Sequence, residues 1–118
     1  MSAPQRAYPT LSELIARRVA DRRAAALSAV AKADAVARAA GGRLLVFGSL
    51  ATGRFHEKSD IDIVLFDVPA DRSADLVAEI FTICEDAGIQ PDVIDERHLG
   101  PSLRARVMRD GRDPSDLD

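Results

Sequence analysis

The residue types best suited to chemistry gather in one short stretch. Gly48-Ser49 follows the apolar run Leu44-Leu45-Val46-Phe47 without a gap. A glycine lets backbone pass close to a ligand, and a serine hydroxyl with the N–H groups after it can hold phosphate oxygens. Ser49 to Gly53 is long enough for one helical turn whose N-terminus would face that phosphate. Asp60 and Asp62 stand two apart at the opening of Asp60-Ile-Asp-Ile-Val-Leu-Phe66. On a strand their side chains leave the same face. Two adjacent carboxylates repel unless a cation neutralises them. Oxygen-only ligands at that spacing suit Mg²⁺ or Mn²⁺, which keep waters and complete their coordination with phosphates. A third carboxylate on a neighbouring strand would complete a two-metal site, with ions about 3.5–4 Å apart, that clamps an in-line phosphoryl displacement. Asp92, entering the next apolar run, is the candidate, and Asp95 falls on the opposite face by the period of two.

These side chains need a sheet to hold them. Leu44–Phe47 reads as a strand covered on both faces, and Asp60–Phe66, rich in β-branched and aromatic residues, as a second. Ile89–Ile94 is a shorter third strand, placed at a margin or edge by Pro91. Upstream, Thr10-Leu-Ser-Glu13 forms a capping box. It opens a helix whose apolar face carries Leu11, Leu14, Ile15, Val19, Ala26, Leu27, Val30 and Ala33. Twelve of the residues from 11 to 40 are Ala, which favours helix but gives little packing bulk. The spacing predicts one long helix ending at Gly41-Gly42, or two with a break near Asp21–Ala24. Its polar face bears Arg17, Arg18, Arg22, Arg23, Lys32 and Arg38, read as solvated, with the arginine cluster as an alternative dock for an acidic partner or RNA. Ser73 is placed as the cap of a helix with the stripe Leu76, Val77, Ile80, Phe81 and Cys84. Gly100-Pro101 opens a last helix through Leu103 and Val107, stopped by Gly111. The expected fold is α/β or α+β, a small mixed sheet of three to four strands flanked by helices. Residues 1–9 are a loose lead-in, 10–112 one domain, and 113–118 a mobile acidic tail.

Composition narrows the function. The 118 residues carry 16 Lys+Arg and 19 Asp+Glu, a net charge of 16 − 19 = −3, which argues against a broad phosphate-tracking surface. Four Phe, one Tyr and no Trp argue against a base-stacking platform. With 47% hydrophobic and 30% charged residues the chain is globular in composition. Cys84 is the only cysteine, so neither an internal disulfide nor a Cys-based zinc site forms. It reads as a buried structural thiol, while His56, His98 and Lys58 read as solvent-facing. The chain shows neither a signal-peptide pattern nor a long apolar run, so the expected compartment is the cytoplasm, with no membrane partner.

The Gly48-Ser49 pair, the nine-residue gap to Ser59-Asp60-Ile61-Asp62, and Pro91-Asp92-Val93-Ile94 together resemble the DNA polymerase β-type nucleotidyltransferase superfamily. In size the chain resembles its minimal nucleotidyltransferases. The resemblance runs from about Gly42 to Gly111 and is strongest between Phe47 and Phe66. It implies that Gly48 and Ser49 bind a nucleoside triphosphate and that Asp60 and Asp62 bind two divalent ions. Asp92, by the same likeness, binds one ion and helps deprotonate the incoming hydroxyl. The implied reaction moves a nucleoside monophosphate from an NTP to an acceptor hydroxyl and releases pyrophosphate. Many minimal members carry Arg four residues after the motif glycine, where this chain has Thr52; Arg54, two residues on, is the substitute for nucleotide binding.

The resemblance also implies a partner, a small helical protein of the HEPN type. Such pairs are commonly antitoxin and toxin, and some antitoxins silence the toxin by attaching AMP from ATP to a tyrosine. The chain covers a catalytic core alone, so its acceptor is either small or presented by another chain. The alternative is a nucleotide-binding module that neutralises a partner by binding alone, a reading favoured by Thr52. A small-molecule transferase would usually carry a further substrate domain. A receiver-type signalling domain would want its acidic pair at the end of a strand, not its opening.

Overall fold

A computed structural model describes residues 8–117. The described residues form four α-helices and three strands: α1 (Leu11–Ala39), β1 (Arg43–Phe47), α2 (Ser49–Thr52), β2 (Ile61–Phe66), α3 (Ser73–Asp86), β3 (Pro91–Asp95) and α4 (Pro101–Asp110). Short 3₁₀ helices cover Glu96–His98 and Pro114–Asp116. The expected lead-in falls largely on residues 1–7, which lie outside the described residues.

The sheet runs β1-β2-β3 and is mixed: β1 lies antiparallel to β2, and β2 parallel to β3. The parallel pair requires a crossover, which α3 supplies. Pro91 opens β3 on the sheet's edge, where its missing N–H costs no ladder bond. Ile89, read as part of the strand, precedes it and is buried in the core.

Both faces of the sheet are covered. Leu44, Val46, Ile61, Ile63 and Leu65 pack with α1 and α3 in one cluster, through Ala26, Ala29, Val30, Ala33, Ala37, Leu76, Ile80 and Cys84. On the other face Val64 and Phe66 pack with Val107, Leu99 and Leu103 at α4, with Leu45 and Phe47 alongside. Small alanines on α1 let its backbone come close to the sheet, so the helix contributes proximity where it lacks bulk.

The capping box forms as read: Glu13 N–H donates to Thr10 Oγ1 at 3.1 Å and Thr10 N–H to Glu13 Oε2 at 3.2 Å. Helix α1 continues without a break past Asp21–Ala24, and Gly41 then takes a φ of 86°. The single apolar face is corrected in its first third. Leu11 is 72% exposed and Ile15 40%, because a helix of 29 residues, about 43 Å long, overshoots a sheet of five- and six-residue strands.

Two further expectations change. Ser73 is the first residue of α3 and not its cap; Arg72 holds the cap position, and the Ser73 hydroxyl donates to Asp95 Oδ2 at 2.5 Å. Residues 113–117 are not loose. Asp113 caps the last 3₁₀ helix by accepting from Ser115 N–H at 3.0 Å and meets Arg38 at 3.4 Å, while Leu117 packs on the core. Arg112 and Val46 exchange backbone hydrogen bonds of 2.7 and 2.8 Å, which fixes the chain along the outer edge of β1. Among the described residues, no helix is long and apolar enough to cross a membrane.

Candidate active site

Strand register brings the acidic residues together. Asp62 is the direct partner of Asp92 across the parallel β2–β3 pair and of Phe47 across β1–β2. Neighbouring strands lie about 4.8 Å apart, and partnered residues leave the same face. Asp60 stands just before β2, close enough for its charge to act on the Asp62 carboxyl. The face of Asp62 and Asp92 is the one on which Val64 and Phe66 pack with Val107 and Leu103 of α4. Asp60 and Asp92 are exposed and Asp62 half-buried.

Among the described residues no hydrogen bond or ion pair reaches the carboxylates of Asp60, Asp62 or Asp92. Burial, then the neighbouring carboxylates of Asp92 and Asp60, push the Asp62 carboxyl above its ordinary range. Oxygen-only donors with unbalanced negative charge fit a hard divalent cation. Among the described residues, no three His, Cys, Asp or Glu side chains already converge on a point that would hold an ion. A cation held here therefore completes its shell with water or phosphate oxygens, as Mg²⁺ commonly does.

Gly48 stands against this cluster. Its φ is 71° and ψ −150°, a backbone conformation essentially confined to glycine. A Cβ built on it would overlap Oδ2 of Asp62. The chain turns there into the one-turn helix α2, where Thr52 N–H donates to the Gly48 carbonyl at 3.1 Å and Arg54 N–H to that of Ser49 at 2.9 Å. Leu50 anchors α2 in the core. Ser49 is half-buried, with no side-chain partner among the described residues. The Thr52 hydroxyl turns back onto the Ser49 carbonyl at 3.4 Å. Arg54 is exposed, its guanidinium unpartnered among the described residues.

The loop into β2 is closed on itself. Ser59, 5% exposed, accepts at Oγ from His56 N–H at 2.9 Å and donates its own N–H to the His56 carbonyl at 3.0 Å. His56 Nδ1 accepts from Lys58 N–H at 3.1 Å. His98 is exposed and lines an apolar cavity of about 720 Å³ with Ala74, Val77 and Val93, on the α3 side of β3 and away from the carboxylates. Cys84 is buried, and burial raises its thiol to about 11.

Sequence reading missed Arg22. It was placed on a solvated face, yet its Nη2 donates to the Ser59 carbonyl at 2.7 Å and its Nη1 to the Gly88 carbonyl at 3.2 Å. Only its position one turn from buried Ala26 hinted at this.

Asp95 likewise serves the frame. It accepts from Ser73, from Arg97 N–H at 2.9 Å and from the Arg97 guanidinium at 3.0 Å. Burial works to raise its carboxyl, but the Arg97 and Ser73 hydrogen bonds outweigh this and hold it at about 2.

Comparison with known proteins follows the same geometry. The profile of the nucleotidyltransferase domain family matches residues 32–113, more than half of the chain. A solved structure provisionally designated a minimal nucleotidyltransferase matches at 29% identity and TM-score 0.53, over 91% of this chain and 98% of that one. A toxin–antitoxin crystal structure with AMP-PNP matches at 23% identity and TM-score 0.47, over 60% of this chain; the match spans 57% of that protein's length. No curated protein matches the sequence. The chain belongs to the nucleotidyltransferase domain family and has the three-stranded mixed sheet and long N-terminal helix of its minimal members.

Proposed function

We propose that the chain is a Mg²⁺-dependent nucleotidyltransferase that moves AMP from ATP to an acceptor hydroxyl, acting as the antitoxin that modifies a tyrosine of a HEPN-type toxin. The observation that carries the catalytic reading is the gathering of Asp60 and Asp92 around Asp62, which packs on Gly48, with no cationic side chain paired to any of the three among the described residues. Family membership supports it.

In this reading residues 10–112 are one catalytic unit. Asp60 and Asp62 hold the divalent ions and Asp92 shares one. Ions bound there, Mg²⁺ or Mn²⁺, would neutralise the charge that develops on the attacking and leaving oxygens. Ser49 and the first N–H groups of α2 hold the outer phosphates, with Arg54 as the nearest cation in sequence. Asp92 takes the proton of the incoming hydroxyl. The acceptor oxygen bonds the α-phosphorus, the bond from that phosphorus to the α–β bridging oxygen breaks, and pyrophosphate leaves. The partner rests on the resemblance to minimal nucleotidyltransferases.

One observation favours a second reading, in which the chain neutralises its partner by binding alone. Thr52 turns its hydroxyl onto Ser49 and puts no cation beside the phosphates. Incubation with ATP labelled at the α-phosphate, Mg²⁺ and host lysate separates the two. The catalytic reading expects label on a discrete protein band with wild type and none with the Asp60→Asn, Asp62→Asn double variant. No label with either folded protein, and partner neutralisation unchanged in the double variant, would establish the binding module.

A further inference from the structure

A side chain of helix α1, Arg22, reaches the two loops that lead into the acidic strands. The Arg22 guanidinium bonds the Ser59 carbonyl at 2.7 Å and the Gly88 carbonyl at 3.2 Å. Its Nε is buried without a hydrogen-bond partner among the described residues. The two carbonyls belong to the loops that enter β2 and β3, and those strands present the carboxylates. Ser59 immediately precedes Asp60, so fixing its carbonyl fixes the peptide plane on which Asp60 turns. The second loop is also joined to the start of β2, Ile61 N–H donating to the Gln90 carbonyl at 3.0 Å. The His56–Ser59 turn is closed by its own reciprocal hydrogen bonds, so it moves as a unit when Ser59 moves. A guanidinium is a planar fork whose donors keep a fixed mutual geometry. Anchored on α1, it sets the two loop backbones against each other.

We infer that Arg22 is a positioning residue: by holding the Ser59 and Gly88 carbonyls it sets Asp60 and Asp62 relative to Asp92, and so governs how tightly the three carboxylates bind a divalent cation. This rests on the metal-dependent reading above. Loss of groups that orient metal ligands typically weakens metal binding by about 10–100-fold.

The probe is Mn²⁺ alone, titrated into the full chain and followed by the spectroscopic signal of the free ion. Arg22→Met is expected to fold, to need at least about 10-fold more Mn²⁺ than wild type, and to recover nucleotide transfer at saturating Mn²⁺. Arg22→Lys, with one donor centre in place of a fork, is expected between the two, and decides the matter if Arg22→Met fails to fold. Val30→Ala, which loosens the same helix in the core, is expected to lower Tm without moving the Mn²⁺ midpoint. Equal midpoints for wild type and the folded Arg22 variants would overturn the clamp and leave the metal site standing. A shift in Val30→Ala as large as that in Arg22→Met would also overturn it, since general loosening would then suffice. No Mn²⁺ uptake by wild type would overturn the metal-dependent reading itself and this inference with it.

Discussion

Gly48 and Asp62 are packed so closely that a Cβ on Gly48 would overlap the Asp62 carboxylate and force its Oδ2 to move. The turn at Gly48 and the side chain of Asp62 are therefore packed together, although thirteen residues separate them in sequence. Gly48→Ala would add that clash to the cost of holding alanine at a φ of 71°. The expected loss of stability is about 1–3 kcal/mol, read by thermal denaturation. Displacement of Asp62 should lower nucleotide transfer by about 100-fold even where the protein stays folded.

Asp62 itself separates stability from activity. Burial and its two acidic neighbours raise its carboxyl, so in the metal-free protein its ionised form opposes folding. A raised folded value means this destabilisation is absent below the unfolded value and grows as pH rises through the folded one. Asp62→Asn should thus raise the metal-free Tm at pH 7. The same change should lower transfer by about 1,000-fold, the few kcal/mol that metal-held charge contributes to such a step. Calorimetry and the labelling assay on one preparation check both; a fall in Tm would mean the carboxylate is already compensated.

The Asp60–Asp62 pair was legible because its spacing is local, whereas Asp92 joins it only through the β2–β3 register. A spacing of two on a strand puts Asp60 and Asp62 on one face whatever the rest of the chain does, and Pro91 leaves Asp92 one residue inside the edge strand. Arg22 was not legible, because the carbonyls it holds lie 37 and 66 residues away and present no side-chain pattern. Ser73 failed for a different reason. Its hydroxyl suits a helix cap or a buried carboxylate equally well, and only the fold brings Asp95 within reach. The ordered C-terminal segment rests on single contacts of Asp113 and Leu117, too few to leave a periodic signal.

Asp95 gives the opposite pH signature from Asp62. Its carboxyl is held at about 2, so its contribution is complete above the ordinary carboxylate value near 4 and is lost as pH falls toward 2. With Asp95 5% exposed, that contribution is on the order of 2 kcal/mol. Urea midpoints from pH 6 to pH 2 should fall more steeply for wild type than for Asp95→Asn. At pH 6 the variant should be the less stable protein. Ser73→Ala should reproduce part of the effect, by about 1 kcal/mol, since it removes one of the bonds that favour the ionised form.

The two ends of α1 should respond to mutation in opposite ways. Its alanines at 26, 29, 33 and 37 are buried where the helix crosses the sheet, and Ala33 is 0% exposed. Ala33→Leu would force added methylenes into closed packing and cost about 1–3 kcal/mol. Leu11→Ala removes a larger side chain, but one that is 72% exposed beyond the sheet, and alanine favours helix slightly more. It should change stability by less than about 0.5 kcal/mol. The periodicity of the sequence alone ranks the two the other way, because it assigns Leu11 and Ala33 to one buried face and gives leucine the greater share. Denaturant midpoints for the two variants decide between the orders, and a costly Leu11→Ala would mean that the first turns of α1 pack against something in solution.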